Sequence, residues 1–178
     1  MKKQLNKQHV EIPSHLKRVN YFNGQFLSQT DLTTEQTYII DRGRLHNLHI
    51  HGYGIVSGLA VSVPKNLTDV LIVSPGVAID PQGNEIFLPA VVAVPVPKKG
   101  DFARLMLYWS ERETDFVPVP SSTGEGGGMA ASRIEEYAIL NVEAEEATLK
   151  PNGIMLARLK KFRGVWRVDK KFRVRHVK

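Results

Sequence analysis

NYFNGQFLSQTDLTTEQTYIIDRGRLHNLHIHGYGIVSGL, residues 20–59, reads as a turn, one long helix and a glycine-punctuated exit into strands. Asn23-Gly24 is a turn signal flanked by the apolar cluster Tyr21, Phe22, Phe26 and Leu27. Ser28 is placed to cap the helix, with Asp31 three residues on as its capping-box partner or as a complement to the helix dipole. Asp31 is an alternative cap, with Glu35 in the first turns that follow. The helix is expected to run to about His49, because Gly52 and Gly54 stop it. Leu32, Gln36, Ile39, Gly43, His46 and Ile50 recur at alternating steps of four and three, which sets all six on one face. That face mixes aliphatics with a glycine, an amide and an imidazole. It suits contact with another helix or chain better than burial in oil, so these six are the expected oligomer interface. Tyr38, Leu45 and Leu48 give the helix a second apolar face for its own domain.

From Ile55 the hydrophobic period shortens to that of strands. Ile55–Val63 reads as a strand interrupted by Gly58, and Val70–Val73 as a short one. Pro75-Gly76 is a turn into Val77–Ile79, and Pro81-Gln82-Gly83-Asn84 is a tight turn returning antiparallel through Glu85–Leu88. Val91–Val96 is held by its prolines to an edge role. Arg104–Glu111 is the strongest strand and is expected to pair with Ile134–Val142. Ile154–Phe162 and Val165–Val168 make a hairpin about Arg163-Gly164, and Phe172–Val177 alternates as a last strand. Gly24, Gly52, Gly54, Gly58, Pro75, Gly76, Asp80 and Gly83 are the expected structural turn positions. Residues 117–132, VPVPSSTGEGGGMAAS, have the composition of a disordered loop between two strands of one sheet. The expected organisation is a flexible arm over 1–19, a turn and long helix over 20–54, and a β domain over 55–178. The fold class is mainly β with an N-terminal α-helix, as an antiparallel sandwich or barrel-like domain.

The chain has no cysteine, which excludes disulfides, thiolate metal sites and a thiol nucleophile. No run approaches the roughly 18 apolar residues of a membrane span, and the basic start MKKQLNKQHVEIP lacks the apolar core of a secretory signal. No membrane partner is expected. The net charge of +6 is segregated: residues 158–178 hold ten Lys/Arg against Asp169, and residues 111–146 hold nine Asp/Glu against Arg112 and Arg133. The basic block either flanks a solvated strand or meets an acidic protein surface, and the two blocks together suit head-to-tail contact with another copy or with neighbours. Nucleic acid is the least favoured partner.

Catalytic constellations are hard to find. His46, His49 and His51 are the candidate metal ligands, since three imidazoles suit zinc or a similar ion. No HExxH accompanies them, and histidines at a helix C-terminus complement its dipole without any metal. The expectation is no metal and no cofactor, with a His-dependent metal hydrolase as the third reading of function. Asp80, Glu85 and Glu111 invite a paired-carboxylate reading, but turn chemistry accounts for Asp80. Ser57 lacks the Gly-x-Ser-x-Gly frame, and Gly126-Gly127-Gly128 is followed by no Lys-Ser/Thr. Gly52-x-Gly54-x-x-x-Gly58 follows a helix, the wrong context for a dinucleotide. A carbohydrate or cell-surface binding module using Trp109 or Trp166 is the second reading.

Several strings taken together resemble a family of phage-tail and contractile-injection-particle proteins. These are the Tyr21-Phe22-x-Gly24-Gln25-x-Leu27 opening, the Leu45-His46-Asn47 to Gly58-Leu59 exit and Pro75-Gly76-Val77-Ala78-Ile79-Asp80, followed by ARLMLYWSERETDFVPVP, RIEEYAILNV and GIMLARLKK. The similarity spans roughly residues 20–168. In that family such a module sits at the baseplate or at the root of a tail fibre. The resemblance implies turn and packing signatures without catalysis. It implies a non-enzymatic structural component of a tail or tail-like particle, assembled in the bacterial cytoplasm. Homo-oligomerisation, as a trimer if fibre-like, and docking on baseplate or fibre proteins are expected with it. Fibre members continue into a receptor-binding region, whereas this sequence stops at Lys178, as an adaptor or baseplate component would. The basic final strand has no match in the family.

Overall fold

The computed structural model describes residues 16–67, 69–119, 127–148 and 150–178. Most of the expected N-terminal arm and the middle of the glycine-rich stretch lie outside the described residues. The chain divides into two units, residues 1–43 and 44–178.

In the first unit, the amide of Gln25 donates to Phe22 O (3.2 Å) and closes a turn in which Gly24 takes φ 83°. A side chain is disfavoured at that angle, which is why the turn carries Asn-Gly. Tyr21, Phe22, Phe26 and Leu27 are exposed, Phe26 by 90%, so the cluster is a surface and not a small core. The helix α1 spans Gln29–His46. It opens on a reciprocal capping box: Asp31 N donates to Ser28 Oγ (3.2 Å), while Ser28 N and Oγ donate to Asp31 Oδ2 (2.9 and 2.6 Å). The Ser28 hydroxyl, and then its amide, hold the Asp31 carboxyl below its ordinary value of 3.8. The native carboxyl therefore binds its proton less readily than the unfolded one. The cap's contribution is complete above the ordinary value and is lost as the pH falls through the lowered one. Circular dichroism of the chain titrated below pH 3.8 should show the helix signal falling in that window, and Asp31→Asn should remove the step. An unchanged step in Asp31→Asn would assign the transition elsewhere.

The second unit is mainly β, with three antiparallel sheets. β1 (Gly54–Gly58), β4 (Gly76–Ile79) and β5 (Glu85–Leu88) form one, in the order β1-β4-β5. β2 (Val61–Ser62), β3 (Val70–Val73) and β6 (Val92–Pro95) form a second, in the order β2-β3-β6. β7 (Phe102–Pro118), β8 (Met129–Ala144), β9 (Ile154–Phe162) and β10 (Val165–Val168) form the third, in the order β10-β9-β7-β8. One core joins them: Ile55 and Leu59, Leu71 and Val73, Ala78, Ile86 and Leu88, Leu105 and Leu107, and Leu156 and Leu159 are all buried. The register slips where β9 meets β7, since Leu105 is opposite Ala157 and Met106 opposite Met155. Leu156 is the extra residue. The bulge turns Leu156 and Ala157 inward in succession, a pattern that simple alternation forbids.

Three expectations from the sequence are corrected. The α-helix stops at His46 and gives way to a π-helical turn, Asn47–His51, so the widened last turn and not a plain helix reaches the glycines. Residues 117–132 are not one loop. Val117 and Pro118 pair with Ala130 and Met129, and Val119 N donates to Gly128 O (2.8 Å), so the ladder takes in both ends of the stretch. Residues 120–126 lie outside the described residues. Finally, Phe172–Val177 is no strand. It runs as coil that meets β1 at a single parallel bridge, Ile55 to His176. Alternation in a solvated segment supplies no partner by itself, and here the ladder is two bonds long: Ile55 N donates to Arg175 O (2.9 Å) and Val177 N to Ile55 O (3.1 Å).

Candidate assembly surfaces

α1 has no buried residue. Its expected interface positions Leu32, Gln36, Ile39, Gly43, His46 and Ile50 are all exposed, with Leu32 at 52% and Ile39 and Ile50 at 62%. Ile40 and Leu45 are exposed as well, so Leu45 is not the inward-facing residue that the sequence suggests; Tyr38 and Leu48 are half-buried. Exposing four large aliphatics on α1 and a fifth, Ile50, in the π turn after it is costly in water unless another surface covers them.

The end of the helix is held by residues that periodicity does not single out. Asn47 is buried, and its Nδ2 donates to Gly83 O (2.9 Å) and Glu85 Oε1 (3.2 Å). Arg44 Nε donates to Asn84 Oδ1 (2.7 Å), and its guanidinium lies 5.6 Å from the Trp109 ring centre. Two of these three bonds end on the turn between β4 and β5, and the third on Glu85 at the start of β5. That turn is organised by Asp80, whose side chain is fully buried. Asp80 Oδ1 accepts from Gln82 N (2.8 Å) and Asn84 N (2.9 Å), and Oδ2 accepts from Asn84 Nδ2 (2.8 Å). Gly83, at φ 89°, passes so close to Arg44 that a Cβ there would sit 2.5 Å from the Arg44 carbonyl oxygen. Asp80 is thus a scaffold residue: the three hydrogen bonds its carboxylate accepts all come from its own turn. The remaining turn positions stand at chain reversals or close approaches. Gly52 (φ 73°) ends the π turn, Gly54 lies against Arg175, and Gly58 and the Pro75-Gly76 step face each other across β1 and β4.

The histidines do not converge on a centre. His46 and His51 meet edge to face at 5.2 Å between ring centres, and His46 and His49 are exposed. Among the described residues no group of three or more His, Asp or Glu side chains is placed to hold a metal ion. Of the two tryptophans weighed for glycan binding, Trp166 is a core residue whose Nε1 donates to Pro97 O (3.0 Å), which corrects that candidate. Trp109 is half-buried.

Where β7, β8 and β9 run side by side, charged groups are taken into the sheet. Arg104 is buried and donates to the carbonyls of Ala144 and Ala147. Tyr108 OH donates to Glu143 Oε1 (2.7 Å), and burial followed by the Glu143 carboxylate pushes the phenol up to about 12. Arg158 pairs with Glu145 at 3.0 Å. The phenol stays protonated throughout the physiological range and acts as a fixed donor.

Among the described residues no helix is long and apolar enough to cross a membrane. No family model matches the sequence, and no curated protein matches it significantly. Solved structures do match. A chain of the type VI secretion system TssK-TssF-TssG baseplate subcomplex, determined by cryo-electron microscopy, superposes with a TM-score of 0.56 at 14% identity, over 89% of this chain and 62% of that one. A chain of the baseplate complex from the type VI secretion system gives 0.54 at 15% identity, over 90% and 60%. The protein therefore spans about three-fifths of those chains, and at this identity what it shares with part of each is the fold.

Proposed function

We propose that this protein is a non-enzymatic structural component of a phage tail or phage-tail-like contractile injection particle, at the baseplate or at a fibre attachment point. It assembles with copies of itself, as a trimer by the resemblance of its sequence to fibre-root modules, and docks on neighbouring particle proteins. The observation that carries the reading is the bare face of α1, a helix with no buried residue, where Leu32 and Ile39 expose more than half their surface, as does Ile50 in the π turn that follows. The likeness in fold to chains of type VI secretion baseplates supports it. So does the use of Asp80, Tyr108 and Glu143 in fixed internal bonds.

Sedimentation at high salt, where exposed ion pairs are screened, tests the helix contact alone. The wild type is expected to run as an oligomer, and Ile39→Asp with Ile50→Asp as a monomer with unchanged circular dichroism. Placing a charge in a covered apolar seam removes the burial that holds it and adds a desolvation cost. A wild type that is strictly monomeric at every concentration would sink the reading.

A further inference from the structure

β9 accompanies β7 from Phe102 to Leu107; beyond that, β7 is paired to β8 alone as far as Pro118. The result is a two-stranded ribbon, a form that is marginal in water without something laid against it. Its two faces differ. On one, Arg112 lies opposite Glu135 and pairs with it at 2.8 Å, the guanidinium 5.2 Å from the Tyr137 ring centre. On the other, Glu111 is directly opposite Glu136, and Glu113 is opposite Ile134. All four are exposed, and none of the three carboxylates has an ion-pair partner among the described residues. Like charges placed opposite one another cost stability, so this face is built for something other than the isolated chain.

Closer to the core on that face stand Trp109 and Ala138. With Phe87, Pro89, Glu85 and Glu136 they line a groove of about 500 Å³ between β5 and β8. An aromatic and apolar floor with a carboxylate rim is the chemistry that receives a cationic or aromatic side chain. Arg44 already occupies one side of the Trp109 ring in this manner.

The matching chemistry lies elsewhere on the same unit. At the β9–β10 turn Phe162 is 51% exposed, with the guanidinium groups of Arg163 and Arg167 5.3 and 5.5 Å from its ring centre. Arg163 and Gly164 both take positive φ (51° and 81°), the tight hairpin turn that thrusts this cluster outward. The exposed cations Lys170, Lys171 and Arg173 follow. The charge segregation in the sequence is thereby a segregation of surfaces.

We propose that the acidic ribbon face and groove of one copy receive the Phe162–Arg163–Arg167 hairpin tip of a second copy, head to tail. The contact is heterologous, so repetition closes a ring or extends a row of copies. It is charge-complementary, so it forms at low salt and dissolves at high salt. It stands apart from the α1 contact and does not rest on it.

The test uses the full chain carrying Ile39→Asp, which leaves the charged surfaces intact, followed by sedimentation at low salt. Species larger than a monomer are expected, dissociating at high salt. Glu111→Lys with Glu136→Lys, and separately Arg163→Glu with Arg167→Glu, should each give a monomer at low salt with unchanged circular dichroism. An equimolar mixture of the two variants should associate at low salt although neither does alone, because each retains one intact surface for the other. Glu111→Gln with Glu136→Gln, which keeps side-chain size, should weaken self-association in the same direction. A monomer at low salt with both surfaces intact, or a mixture that stays monomeric, overturns the proposal and leaves the groove to a different protein. Failure of the α1 contact is read separately, as equal masses of wild type and Ile39→Asp at high salt.

Discussion

Asp80→Ala is expected to lower the thermal midpoint of the second unit by roughly 10 °C. The Asp80 carboxylate is fully buried and accepts three hydrogen bonds, from Gln82 N, Asn84 N and Asn84 Nδ2. Removing it leaves three donors without an acceptor, two of them on buried Asn84, and each buried orphan costs about 1–3 kcal/mol. Proximity makes the costs less than additive, so a total of about 3–4 kcal/mol is the working figure. Asp80→Asn separates the turn from what the turn holds. Its carbonyl can still serve both backbone amides, but its Nδ2 then faces Asn84 Nδ2. Asn84 can resolve that conflict by rotating its amide, at the cost of the bond that Asn84 Oδ1 accepts from Arg44 Nε. Asp80→Asn should therefore cost less stability than the alanine while loosening Arg44 over Trp109, seen as a change in tryptophan fluorescence in a Trp166→Phe background. Thermal melts by circular dichroism check the first part, and a shift of Asp80→Ala under about 2 °C would refute the assignment.

The second large effect is expected at the crossing of β1 and β4. Gly76 is opposite Gly58, and the two backbones approach until no side chain fits. A methyl on Gly76 would fall inside contact distance of the Ser57 carbonyl and 2.6 Å from Leu59 N. These are backbone atoms, which cannot yield by changing rotamer, so the strands must part. Overpacking of this kind costs about 3 kcal/mol when the neighbours are rigid. Leu59 adds to it. This leucine is buried while holding φ 56°, a strained angle for a side chain, and is fixed there by the packing that separation would loosen. Gly76→Ala should unfold in urea at a clearly lower midpoint with an unchanged slope. A midpoint within error of the wild type would show that β1 and β4 have room for a methyl at this crossing.

Much of the β architecture could be read from residues because it is written locally. Val70–Val73, Glu85–Leu88, Ile154–Phe162 and Val165–Val168 occupy the spans their alternation and turn residues give them. What escaped reading is non-local. The ribbon extends because β7 and β8 hold each other through Pro118 and Met129, whereas glycine content near 124–128 argues for a loop. The last strand expected over 172–177 is absent because alternation cannot reveal that β1 offers just one residue, Ile55, to receive it. Arg44 and Asn47 belong to no apolar stripe, and their importance rests on Asn84 and Gly83, some 36–40 residues away. The one available signal was the pairing of a polar i, i+3 couple with an Asp-Pro-x-Gly-Asn turn. The exposed α1 face was legible as a pattern; what covers it was not, since a pattern of apolar spacing does not name its partner.

The bridge from Ile55 to His176 also sets an order of events during folding. The β7–β8 and β9–β10 pairings join neighbours in the chain and can zip quickly, since closing short loops costs little entropy. β1 receives its second flank from residues about 120 positions later: Arg175 Nε donates to Tyr53 O, Val177 N to Ile55 O and Lys178 N to His51 O. On the ribosome the outer edge of β1 stays open until residue 178 has emerged from the exit tunnel. The segment beside the π turn and its histidines is thus the last piece to become protected, and hydrogen exchange should find its amides the slowest to gain protection during refolding.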